Sequence, residues 1–494
     1  MMKTWKKIAL ALSAVLVVAC NHDDNILPDK PKKPDNPNPP TQSILPKKEL
    51  RGVWMATVWG LDWPRGEYNA ESQKASYIAY MKALEKNNIN AVFVQVRGRA
   101  DAFYKSDYEP WCQYLTGEVD KDPGYDVLRF MIDEAHKRGI AFHAWFNPYR
   151  VATKKATDAA FPALDSRIPQ AMMVDYKTIR MYNPGLPEVR QRIFDIIKDL
   201  ITKYDVDGVH IDDYFYPSLT AGETIKDEEE YKKYAPKDNN GKPTITIEEF
   251  RRNNVDLAVK GIHDVVQATR PEVVFTVSPA GNPDYNYNTM YADVVKWSRE
   301  GWTEAIIPQL YFPMGNAATN FNQRLIWWSQ YTFKNALFIG YGTYRFGDPK
   351  SPAAYQNASE LAKQFAFASK YNKVTGSVLY SAKDLLNNPV DILSVIKDVY
   401  KQPAVLPYLG KQAATPPSTP TNVRANGKTL QWNGPDGAYF AVYRDNGAGK
   451  EATTIAVTRQ QEVTLTEAGT YFVTAVSKNC LLYTSPSPRD RTRS

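Results

Sequence analysis

Cysteine and histidine are scarce in this 494-residue chain, three of the first and five of the second, and each scarcity closes off a class of protein. Cys20, Cys112 and Cys480 stand too far apart for a disulfide framework or a CxxC metal pair. The histidines, at 22, 136, 143, 210 and 263, form neither HExxH nor a His-x-x-x-His pair, so no ready zinc site is present. No metal or other cofactor is therefore expected. Past the first twenty residues no apolar run approaches a membrane span. The formal charge of +7 owes much to lysines in the leader and linker and to arginines in the last six residues, and no basic stripe argues for nucleic acid. What is abundant is apolar and aromatic matter, 43% and 12%, enough for one large core plus a smaller module.

The leader carries Lys3, Lys6 and Lys7, then the apolar run Ile8 to Ala19, then Cys20. This is the layout of an export signal over residues 1–20. Its ending, Val17-Val18-Ala19-Cys20, resembles a bacterial lipobox, which implies lipidation of Cys20 and a membrane partner reached through that anchor. An ordinary cleaved signal with an incidental Cys20 is the other reading. Asp23 and Asp24 resemble the acidic tag of surface lipoproteins in the Bacteroides group. An exported lipoprotein of the outer membrane, on its periplasmic face or at the cell surface, is expected. Residues 21–46 hold seven prolines between 28 and 46 and read as an extended tether.

From Leu50 onward strand-like runs alternate with helix-period segments, eight of each, which predicts an α/β chain with a (β/α)8 TIM barrel over residues 47–402. Strands are expected near 51–58, 90–97, 140–147, 207–213, 273–278, 305–311, 336–342 and 375–380. The clearest helices are 70–88, 125–138, 187–204, 248–269, 357–371 and 388–401. Long segments at 98–124, 148–186 and 214–247 all follow strands, which places them on the C-terminal face where such barrels carry their chemistry. After a linker at 403–420 come short alternating strands over 421–479. They resemble a small all-β fibronectin type III-like sandwich, with Trp432 and Tyr471 at its core and corner positions. It is expected to be a spacer or docking unit. Residues 480–494 differ in composition from everything before them and read as a non-native tail.

The segment Asp207 to Pro217 is the richest in chemistry. Strand alternation places Val209 and Ile211 on one face and His210 and Asp212 on the other, so a buried strand ends in two adjacent carboxylates, Asp212 and Asp213, among aromatics. Two carboxyl groups are what glycoside hydrolysis requires, one to protonate the leaving oxygen and one to attack or to activate water. Asp212 is expected in the second role, with His210 close enough in parity to hold it ionised. Asp213 is either a support to the loop or the acid. Both aspartates could also simply cap the loop.

Five segments carry a family resemblance: Arg51 to Trp54, Val94 to Arg97, Ala144 to Arg150, His210 to Pro217 and Pro308 to Tyr311. In order and content they resemble the glycosyl-hydrolase-like 10 family over roughly residues 47–400. The resemblance implies a barrel glycosidase, often a lipoprotein, one branch of which acts on peptidoglycan glycan strands stripped of their peptides. Asp207 to Asp212 also looks like the fourth-strand motif of alpha-amylase-type barrels, which implies a nucleophile at Asp212.

No strand after the fourth ends in a glutamate that would serve as the acid, and Glu304 falls before strand six, at the barrel bottom. The loops offer Asp62, Asp101, Glu109, Glu223 and Asp384, with Asp101 preferred. The lining expected to bind a polysaccharide is Gln95 and Arg97 on strand two, His143, Trp145 and Asn147 on strand three, His210 on strand four, and Gln309 and Tyr311 on strand six, with Tyr149, Arg150 and Tyr214 in the mouth loops. Arg97, Arg99 and Arg150 could grip a sugar carboxylate, or could neutralise the aspartates. Two rival functions stay open: a metal-dependent polysaccharide deacetylase using His143, His210 and Asp212, and a surface glycan-binding lipoprotein on a barrel without an acid.

Overall fold

A computed structural model describes residues 43–476 apart from 316, 318 and 411–416, together with the backbone of Thr492–Arg493. The leader with Cys20, nearly all of the tether and most of the 480–494 tail lie outside the described residues. Eight strands form a closed parallel barrel: β1 (Leu50–Met55), β2 (Ala91–Arg97), β3 (Ala141–Phe146), β4 (Gly208–Ile211), β5 (Val274–Val277), β6 (Ala305–Ile306), β7 (Ala336–Tyr341) and β8 (Val374–Tyr380). Each strand lies beside its sequence neighbours, and β8 closes on β1 from Leu50 against Gly376 to Trp54 against Tyr380.

Period-two alternation sorts the side chains. Val92 and Val94 of β2, like Val209 and Ile211 of β4, join the core between barrel and helices. Ala91, Phe93, Trp54 and Trp145 pack inside the barrel with Ile307, Phe338 and Val378. The outer helices start on side-chain caps. Asn69 accepts from the amides of Glu71 and Ser72, and a capping box joins Thr246 and Glu249 ahead of the 23-residue helix Ile247–Thr269.

Two expected elements are shorter than their patterns. Strand six, read over 305–311, is regular only at Ala305–Ile306, because Pro308 has no N–H to give to a ladder. The chain then continues by isolated bridges from Gln309 to Ala280 and Gly340. The helix read over 388–401 is instead Ala382–Asn387 and Ile392–Val399, broken where Asn388, Val390 and Asp391 take positive φ of 47°, 44° and 61° around Pro389.

Seven strands follow the barrel in two antiparallel sheets: β9 (Thr421–Asn426), β10 (Thr429–Asn433) and β13 (Glu462–Thr464) in one, β11 (Tyr439–Arg444), β12 (Thr453–Thr458), β14 (Thr470–Val476) and β15 (Thr492–Arg493) in the other. Leu430, Trp432, Phe440, Val442 and Val473 form their shared core. The module does not stand off as a spacer; it packs on the barrel's N-terminal end. Gly139, at φ +70° in the turn before β3, lies so near β12 that a Cβ would fall 2.3 Å from the Val457 carbonyl oxygen. Val405, within the stretch expected to be linker, is buried with Tyr439 and Phe472. Residues Ser43 to Leu45 also join the module: the Ile44 amide donates to the Lys450 carbonyl and the Ser43 hydroxyl to Asp445 Oδ1.

Candidate active site

The chain leaves β4 at Ile211 and delivers Asp212 and Asp213 at the barrel's C-terminal mouth. Asp212 is 2% exposed and surrounded by donors. Trp145 Nε1, from the adjacent β3, donates to its Oδ2 at 3.0 Å, and Asn147 Nδ2 reaches both oxygens at 3.2 and 3.3 Å. Asp213 has one side-chain donor, Gln309 Nε2 at 3.2 Å, and that amide also donates to the Ser278 carbonyl at 3.2 Å.

This asymmetry sorts the two carboxyls electrostatically. Burial raises both, but the Arg150 charge and the indole and amide donors oppose the rise at Asp212. Burial and the neighbouring Asp212 charge push the Asp213 carboxyl up to about 7, against a weaker pull from Gln309. The anion is better solvated at Asp212 than at Asp213, so a proton shared by the pair is favoured on Asp213. Two carboxyls of unlike proton affinity are thereby set side by side.

They open into a cavity of about 240 Å³ walled by Trp54, Trp145, Tyr311, Tyr344 and Tyr380. Tyr311 stacks on Tyr380 with centroids 5.9 Å apart, and Tyr344 meets both rings edge-on. Across Tyr214 a second cavity of about 240 Å³ shares Asp213 and is bounded by Tyr149, Arg150, Met181, Phe215 and Met290. Apolar ring faces with a few convergent polar groups suit the two-sided surface of a sugar. Of the expected lining, Trp145, Asn147, Tyr149, Arg150, His210, Tyr214, Gln309 and Tyr311 are brought to these cavities or to Asp212 itself.

Several other residues lie elsewhere, each for a physical reason. His210 faces the cavity but does not hold Asp212 as expected. Its Nε2 accepts from Trp54 Nε1 at 3.0 Å and its Nδ1 meets Thr276 Oγ1 at 2.8 Å, while burial holds its pKa well below the usual range. His143 is not a mouth residue: it stacks on Phe93 at 4.4 Å and lines a cavity at the opposite end of the barrel, between the strand starts and the C-terminal module. Burial lowers it to about 4. Gln95 does not reach substrate either, since its Oε1 accepts from the amides of Thr57 and Val58 and so anchors the loop after β1.

Arg97 is turned out of the barrel. The β2–β3 register shifts between Gln95 and Arg97, the mark of a bulge, and Arg97 joins Glu109 in a buried bidentate pair at 2.6 and 2.9 Å. That pair ties down the 98–124 loop and removes Glu109 as an acid. Asp101 pairs with Arg99 at 3.3 Å and lines neither of the cavities that Asp213 borders. Asp62 is buried against the Ala56 amide and the Ser381 hydroxyl, Asp384 caps a helix through the Ser381 amide, and Glu223 binds the Lys177 amide. Glu304 accepts from the Phe275 amide at the start of β5, at the bottom.

Four residues of the first cavity escaped the sequence reading: Trp54, Ser278, Tyr344 and Tyr380. Trp54 had a signal, since alternation along Arg51–Trp54 turns it inward. Tyr344 had none, for it follows β7 in a single 3₁₀ turn, Thr343–Arg345. Among the described residues no three or more His, Cys, Asp and Glu side chains gather as a metal site.

A closed parallel barrel with an asymmetric carboxylate pair at the mouth of β4, set among aromatic walls, defines a barrel glycoside hydrolase. The chain belongs to the family described as Glycosyl hydrolase-like 10, whose sequence profile matches residues 49–356. It is similar to glycosyl hydrolase YngK of Bacillus subtilis strain 168, with 36% identity over 474 residues, 87% of this chain and 91% of the relative. Glycosyl hydrolase DigH of Escherichia coli strain K12 is 32% identical over 425 residues, 78% and 95% of the two chains. Among solved structures, the glycoside hydrolase domain of PgaB (BpsB) from Bordetella bronchiseptica matches 71% of this chain and 98% of its own, with 10% identity and a TM-score of 0.47.

Proposed function

We propose that this glycosidase cleaves the glycan strands of peptidoglycan, with Asp213 as general acid and Asp212 as the carboxylate that faces the developing positive charge. The observation that carries the reading is the unequal solvation of the pair, three donor contacts on Asp212 against one on Asp213. Asp213 gives its proton to the leaving glycosidic oxygen as the bond breaks. Asp212, already anionic, stabilises the oxocarbenium-like centre and either attacks it or takes a proton from the incoming water. The peptidoglycan assignment draws on the family resemblance, on ring faces spaced along both cavities and on an arginine at the mouth.

The lipobox supports an exported lipoprotein held to the outer membrane through Cys20. The two-sheet order of the C-terminal module, with the Tyr471 hydroxyl donating back to the Glu467 carbonyl, supports the fibronectin type III-like reading. The test is mass spectrometry of products from the protein without residues 1–20 on peptide-free glycan strands, beside Asp212→Asn and Asp213→Asn. Fragments that both substitutions abolish are expected. Fragments formed equally by all three proteins overturn the assignment of the pair, and loss of turnover on adding a chelator points to deacetylation instead.

A further inference from the structure

Of the three arginines at the mouth, the structure leaves one without an ion pair among the described residues, although its charge also favours the ionised form of Asp212. Arg97 is spent on Glu109 and Arg99 on Asp101, but Arg150 makes no ion pair among the described residues. Its backbone amide donates to Asn147 Oδ1 at 2.9 Å, and the same Asn147 donates to Asp212, so one side chain fixes Arg150 relative to the reacting centre. The guanidinium lies 4.2 Å from the Tyr214 ring centroid and 5.9 Å from that of Trp59. Both rings are about half exposed, 53% and 51%. Trp59 is held there at some cost: a bulky residue at φ 56°, ψ 17° sits in the left-handed region, in a loop pinned by Gln95. A strained, exposed tryptophan on an anchored loop is presented outward rather than packed away.

We propose that Arg150, flanked by Trp59 and Tyr214, is the binding site for a carboxylate on the substrate sugar beside the scissile bond. This rests on the glycosidase reading of the Asp212–Asp213 pair and deepens it. A guanidinium offers a planar fork of five N–H donors, and its best ligand is a carboxylate taken through two parallel bonds. The Arg150 side chain donates to the Gly98 carbonyl at a weak 3.5 Å. The rings on either side cover the sugar faces and shield the ion pair from water, and the second cavity brings the site to Asp213. Two sugars supply such a group, a lactyl ether as in N-acetylmuramic acid and a uronic acid. In intact peptidoglycan the lactyl carboxyl is consumed in an amide with the peptide, so free and amidated forms of one strand report directly on the carboxylate contact.

The test is calorimetric binding to the full chain carrying Asp213→Asn, which blocks turnover, with four oligosaccharides of equal length. These are alternating N-acetylglucosamine and N-acetylmuramic acid, the same with its lactyl carboxyls amidated, chitin, and a glucuronate-bearing glycan. The free-lactyl ligand is expected to bind about tenfold more tightly than its amide or chitin, the size of a charge-assisted pair at a half-open site. Arg150→Met is expected to remove that preference, with a smaller change in chitin affinity, and Arg150→Lys to restore part of it. Stronger binding of glucuronate than of lactyl strands identifies the source as uronic acid and supports the site. Equal affinity for free and amidated strands, or discrimination that survives in a folded Arg150→Met protein, overturns it. Wild-type turnover is read separately: cleavage without discrimination refutes the site alone, and discrimination without cleavage refutes the glycosidase reading alone.

Discussion

Replacing Asp213 by Asn tests the division of labour in the pair on two independent scales. The first is chemical. An acid that protonates the leaving oxygen contributes on the order of 10²–10⁴ in rate, so turnover of a natural glycan should fall by about that factor. A nitrophenyl glycoside of the same sugar leaves without protonation, and its cleavage should fall less than about tenfold. The alkaline limb near pH 7 in kcat/KM, set by ionisation of Asp213, should vanish in the variant.

The second scale is stability. A carboxyl raised from an ordinary 3.8 to about 7 opposes folding once ionised, nominally by about 4 kcal/mol. Asp213 borders the open cleft, and solvent screening reduces this to about 2 kcal/mol. Its folded pKa is raised, so the favourable contribution is complete below about pH 4 and is lost as the pH climbs through 7. The asparagine has no charge to bury. At pH 8 the variant should therefore unfold at higher denaturant than wild type, and near pH 3 the two should coincide. Equal losses on both substrates with a surviving limb near pH 7 would show that the acid is another group. A variant less stable at pH 8 would refute the electrostatic account.

Other residues give readings of their own. Trp145→Phe removes one of the donors on Asp212 and should cost about 10–100-fold in kcat with little change in KM, measured on the same glycan. Glu109→Gln strands the buried Arg97 charge and should lower stability by about 3–5 kcal/mol in urea unfolding, with catalysis affected only through the loop. Gly208→Ala sets a methyl 2.1 Å from His143 Nδ1 and should cost about 1–3 kcal/mol, much of it recovered by adding His143→Ala. Cys20→Ser should move the protein from the membrane to the soluble fraction on fractionation, and retention in the membrane would remove the lipid anchor.

The barrel was legible because its signal is periodic: apolar alternation in eight runs, with helices between them, survives any single irregularity. The parity of His210 and Asp212 was legible for the same reason. Where the period breaks, reading failed. The bulge in β2 re-aims Arg97, and nothing in Val94 to Arg97 announces an extra residue in the register. Depth along a strand is equally hidden. His143 and Trp145 share a face, yet two residues separate the barrel floor from its mouth, and only pairing to β4 fixes which is which. For Asp213 the sequence left two roles open, a support to the loop or the acid, because it shows the carboxylate and not its surroundings. Its function follows from its environment, a burial and a missing donor that no sequence displays.

The first described residues, Ser43 to Leu45, are stitched to the C-terminal module, and that module covers the end of the barrel opposite the catalytic pair. A chain anchored at Cys20 as proposed would thus be held by its closed pole. The open pole lies at the other end of the body from Ser43 to Leu45, where the described chain begins. Load entering at Ser43 to Leu45 would therefore pass through the β module to the barrel floor rather than to the loops that carry Asp212 and Asp213.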